Sequence, residues 1–106
     1  MKRVYNKLVR DNIPEIIRNN NETPIIKTLS NDEYLRALKS KLQEEVDEFL
    51  ESNDIAELAD ILEVVDALST ANNSSLNEVM DIKIQKAKKN GKFENKIFLI
   101  EVQENK

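Results

Sequence analysis

The sequence predicts an all-α fold: an antiparallel helical hairpin plus a third long helix, with short extended segments at the ends. Apolar residues recur at threes and fours over three long stretches. Two of those stretches open on capping-box sequences, Ser30-Asn31-Asp32-Glu33 and Ser75-Leu76-Asn77-Glu78. The stretches contain no Gly or Pro, of which the whole chain has one and two, so nothing in them disfavours a continuous helix.

Asn12-Ile13-Pro14 predicts a short first helix with Pro in its first turn, ending in the Asn19-Asn20-Asn21 run. Leu35, Leu38, Leu42, Val46 and Phe49 predict a helix over about 32–51, and Ile55, Leu58, Ile61, Leu62, Val65 and Leu68 one over about 54–71. Ser52-Asn53-Asp54 supplies capping residues between them, and so short a connection makes the two helices an antiparallel hairpin. Val79 and Ile82 mark the third long helix, about 76–89, with Asn90-Gly91 as a left-handed stop. Residues 24–29 and 96–102 are β-branched or aromatic without a helical stripe and read as extended. No repeat or linker divides the chain, so residues 1–106 read as one domain with a thin core.

Composition narrows the chemistry. There is no Cys and no His, which excludes thiolate nucleophiles, the usual zinc ligand sets and histidine acid–base catalysis from this chain. Catalysis would fall to carboxylates, Lys, Arg, Tyr, Asn or a hard metal ion. A net charge of −4 gives no global attraction for nucleic acid or anionic membrane. No apolar run approaches a membrane span and the N-terminus has no apolar signal region, so the expectation is a cytoplasmic protein that binds neither membrane nor nucleic acid.

The stretch from Leu42 to Leu68 holds ten of the twenty acidic residues, interleaved with Val, Phe, Leu and Ile. On helices with about 100° per residue, Glu45 falls at the edge of the apolar arc of the first long helix and Glu48 one step further out. On the second, Glu57 projects between Val64 and Leu68, inside the apolar stripe, with Asp60 its i+3 neighbour. An antiparallel hairpin lets the two pairs meet. Four carboxylates at a partly buried seam repel one another and lose hydration; a divalent cation resolves the conflict, and all-oxygen ligands favour Mg²⁺ or Mn²⁺. The alternative is a solvated acidic face in which Lys41, four residues before Glu45, satisfies it as a surface pair. Glu44, Asp47, Glu51 and Asp66 point away from the seam as ordinary surface charge.

At these residues the chain resembles the MazG-like branch of the all-α nucleotide pyrophosphohydrolases, as a short, single-domain, phosphoribosyl-ATP pyrophosphohydrolase-like member. Glu44-Glu45-Val46-Asp47-Glu48 and Glu57-Leu58-Ala59-Asp60 are similar to the family's two acidic blocks, Tyr5 to Asp11 with Ile13-Pro14 to the start of a short-chain subgroup, and Asn90 to Ile97 to a segment after its third helix. The resemblance implies Mg²⁺-dependent hydrolysis of a nucleoside triphosphate to a monophosphate and pyrophosphate, as nucleotide house-cleaning. It implies Glu45, Glu48, Glu57 and Asp60 as metal ligands, with Glu45, and less directly Glu44, polarising the attacking water. Lys7, Arg10, Lys86, Asn90, Lys92 and Lys96 are the candidates for holding substrate phosphates. Lys96 stands where the family has Arg, keeping charge without bidentate geometry, and no His follows the second block as it does in the histidine-synthesis enzymes.

Three helices around a polar seam bury little alone, so a homodimer or homotetramer is expected, two hairpins forming a four-helix-type core. The rival readings are a non-catalytic helical dimerisation or nucleotide-binding regulatory module, and a phosphoribosyl-ATP pyrophosphohydrolase.

Overall fold

The structure is a computed structural model in which residues 2–105 are described. Four α-helices follow one another: α1 (Ile13–Asn19), α2 (Asn31–Ser52), α3 (Ile55–Ala71) and α4 (Leu76–Asn90). The described residues contain no strand, so residues 24–29 and 96–102 enter no sheet ladder. None of these helices is long and apolar enough to cross a membrane.

The chain divides into two compact units, Met1–Leu76 and Asn77–Lys106. The first is built on the expected hairpin, α2 packing against α3. Its boundaries come from local chemistry. Ser30 accepts a hydrogen bond from the Glu33 backbone N–H while the Glu33 carboxylate accepts from the Ser30 N–H, closing the capping box that starts α2. Asn53 ends that helix in the left-handed region at φ 56°, and Asp54 at once caps α3 by accepting from the Ala56 N–H at 2.9 Å. With a single glycine in the chain, left-handed turns fall largely to asparagine: Asn6, Asn21, Asn53 and Asn73 all have positive φ, the side chain that best tolerates that region after Gly. Pro14 occupies the first turn of α1, where its missing N–H costs nothing.

The core is as thin as composition implies. Leu38 and Val64 are its buried apolar side chains; Ser69 is buried but satisfied, donating to the Val65 carbonyl at 2.8 Å. Among the described residues the other buried polar side chain is Glu45.

The second unit holds α4 and the residues after it. Gly91, at φ +84° with its N–H donating to the Ala87 carbonyl at 2.8 Å, ends the helix as expected. Residues 91–105 are exposed throughout.

Candidate metal centre

Seven residues before the end of α2 and in the first turns of α3, the hairpin brings three carboxylates together: Glu45, Glu57 and Asp60 each offer an oxygen within 4.8 Å of the others. Glu44, Glu45 and Glu48 form a second such group that shares Glu45. All four residues expected to hold a metal therefore lie in two overlapping clusters.

Burial separates these acids. Glu45 is only 6% exposed, deeper than its place at the edge of the α2 apolar arc implies, because α3 closes over that edge. Its Oε1 is 3.2 Å from the Lys41 Nζ, but its Oε2 is buried with no hydrogen-bond partner, as is Glu57 Oε2. Lys41 is thus the i−4 partner anticipated for Glu45, but the pair is sunk below the surface and satisfies half of the carboxylate. Burial acts to lower the Lys41 pKa, and hydrogen bonding and charge from Glu45 and Glu44 outweigh it, holding the amine above its ordinary 10.5. Orphaned buried carboxylate oxygens are costly, and a hard cation among the clustered acids is one way to satisfy them.

Glu57 shows the strain of the arrangement. Its pKa is pushed up to about 7, first by desolvation, then by the negative charge of Glu48 and the hydrogen bond that only a protonated carboxyl can share with it, and then by Asp60. Glu44 behaves oppositely. Although burial acts to raise its pKa, the Lys7 and Lys41 ammonium groups, each 3.3 Å away, hold it below the ordinary 4.5. The expectation of Glu44 as an outward-pointing surface charge is corrected here: it is half-buried and sits within the cluster because Lys7 and Lys41 draw it in.

The N-terminal segment supplies cations to the same place. Arg10 donates from Nη2 to Asp60 Oδ1 at 2.8 Å and from Nη1 to Glu63 Oε1 at 3.3 Å. Lys7 donates to Glu44 Oε1 at 3.3 Å. Both residues were candidates for phosphate contact, and the fold sets each beside a carboxylate of the hairpin. Glu63 and Lys41 complete the charge network; sequence reading gave Glu63 no role, and its i+3 spacing from Asp60 is the signal that it shares that face. In the second unit, Asn90, Lys92 and Lys96 line one concave surface with Lys83, Lys88 and Phe93, whereas Lys86 lines another with Ile82 and Lys89. The four candidates from that end of the chain are therefore not brought to a single surface.

An uncharacterized protein of Mycolicibacterium smegmatis is 62% identical to this chain over 42 residues, 40% of the chain and 43% of that protein's length. The chain thus matches less than half of that relative. No protein-family model matches the sequence, and no solved structure matches it.

Proposed function

We propose that the protein is a Mg²⁺-dependent nucleoside triphosphate pyrophosphohydrolase of the MazG-like kind, releasing pyrophosphate and a nucleoside monophosphate and clearing unwanted nucleotides in the cytoplasm. One observation carries this reading: Glu45, a carboxylate only 6% exposed and with one buried oxygen unpartnered, stands in a cluster with Glu57 and Asp60. A solvated acidic face would not sequester its own charge in this way.

Glu45, Glu48, Glu57 and Asp60 are the residues that would hold Mg²⁺, or Mn²⁺ in its place; the donor set is all oxygen, and Glu45 and Glu57 each have a buried oxygen without a partner. When bound, the ion would supply a lowered pKa for an attacking water and neutralise charge on the leaving pyrophosphate. The protein's own groups do the rest. Arg10 and Lys7, held against Asp60 and Glu44, are placed to turn from carboxylate to phosphate oxygen when substrate arrives, Arg10 in bidentate fashion. Glu45 is the first candidate to accept the proton of the attacking water and Glu44 the second; Glu44 is already engaged by two ammonium groups, which favours Glu45. Asn90, Lys92, Lys96 and Lys86 remain candidate phosphate contacts on the second unit. The active form is read as a homodimer or homotetramer.

The test is pyrophosphate release from a panel of canonical, deoxy and damaged nucleoside triphosphates, with Mg²⁺ and with chelator. Release that needs the metal and is lost in Asp60→Asn is the expected result. Full activity in Asp60→Asn removes the metal-site assignment, and a folded protein inert to the whole panel leaves the binding-module reading or phosphoribosyl-ATP as substrate.

A further inference from the structure

Tyr5 is tethered without being covered. Arg3 Nε donates to its hydroxyl at 3.2 Å, and Arg3 is itself fixed by Glu22, Nη2 to Oε2 at 2.7 Å. The Lys7 ammonium stands over the ring, 5.8 Å from the centroid, within the range of a cation–π contact. Yet the residue is 63% exposed. A tyrosine that serves a core buries most of its ring area, so packing does not account for this one, and the side chains that fix it are two cations.

Lys7 ties that ring to the acidic cluster. The same ammonium donates to Glu44 Oε1 at 3.3 Å, and Glu44 clusters with Glu45 and Glu48. The ring centroid is therefore no further from that oxygen than the two distances laid end to end, a span comparable to that of a ribose and one phosphate. A triphosphate whose oxygens replace the carboxylates on Lys7 and Arg10 carries its base about that far from the cluster.

We infer that Tyr5 is the residue on which the base of the substrate stacks, so that the site takes a triphosphate bearing a nucleobase and distinguishes little among bases. The inference rests on the triphosphate reading of the cluster and adds the contact at the other end of the ligand. Every base has a π face, so a stacking ring accepts them all. Purines, which cover more of the ring, bind more tightly than pyrimidines. Inorganic tripolyphosphate carries similar phosphates without a base and gains nothing from Tyr5.

Tyr5 and Tyr34 are the two tyrosines of the chain and there is no Trp, so in a Tyr34→Phe background the phenol emission reports Tyr5 alone. The probes are the α,β-methylene analogue of adenosine triphosphate and inorganic tripolyphosphate, each with Mg²⁺, and free tyrosine in the same solutions corrects for absorption by adenine. Expected is saturable quenching by the analogue and none by tripolyphosphate. By calorimetry, Tyr5→Ala should raise the Kd of the analogue about tenfold, Tyr5→Phe should not, and neither should change the Kd of tripolyphosphate. No quenching by the analogue, equal quenching by both probes, or a Tyr5→Ala protein that weakens for both alike overturns the inference. Failure here and failure of the hydrolase reading are distinguishable. Pyrophosphate release at low substrate that is undiminished in Tyr5→Ala removes the base contact and keeps the hydrolase; quenching by the analogue in a protein that releases no pyrophosphate from any triphosphate keeps the base contact and removes the hydrolase.

Discussion

Glu57 concentrates the physical conflict of the hairpin in one side chain. Its folded pKa of about 7 lies above the ordinary 4.5 expected of the unfolded chain, so between those values the folded protein binds the extra proton. Stability from this group is fully present below pH 4.5 and is lost as pH rises through about 7. Metal-free protein should therefore melt at a falling temperature as pH rises across that window, and Glu57→Gln should flatten the slope and stabilise the protein at mildly alkaline pH. Thermal unfolding in chelator at a series of pH values checks both; an unchanged slope in Glu57→Gln would place the conflict elsewhere. Arg10 with Asp60 is a different case. Both are substantially solvated, 55% and 40% exposed, so the ion pair contributes only about 0–1 kcal/mol and can exchange partners readily.

At the scale of the element, the hairpin is held open at its ends by caps and closed along its length by few apolar contacts. The capping box at Ser30 satisfies two otherwise orphaned N–H groups of α2. Ser30→Ala should destabilise the first unit by about 1 kcal/mol, measured as a lower urea midpoint with an unchanged slope. With Leu38 and Val64 the only buried apolar side chains among the described residues, the caps are a larger share of the stability here than in a thicker domain. The helix limits were legible because caps and periodicity are local: Ser30, Asp54 and Gly91 fall where the sequence reading put them, within a residue or two at each boundary.

For the molecule as a whole, two buried carboxylate oxygens have no protein hydrogen-bond partner. A ligand that binds only the folded protein raises its stability by mass action, so Mg²⁺ should raise the melting temperature progressively with concentration. The rise should be larger above pH 7 than below it, because a proton on Glu57 competes with the ion. Calorimetric melting across an Mg²⁺ series checks this; a melting temperature indifferent to Mg²⁺ and Mn²⁺ would mean that the cluster holds neither.

By itself the sequence determined the helices, the hairpin and the faces on which Glu45, Glu48, Glu57 and Asp60 lie, since period, caps and a two-residue connection act over a few residues. Tertiary structure decided how deep each acid sits and which cations reach it. Glu45 is the most buried because α3 covers it. Lys7 and Arg10 meet Glu44 and Asp60 across 37 and 50 residues of chain, and Lys7 together with Lys41 holds Glu44 in the cluster. Such contacts are set by where an irregular N-terminal segment crosses the hairpin, for which no local period or cap carries a signal.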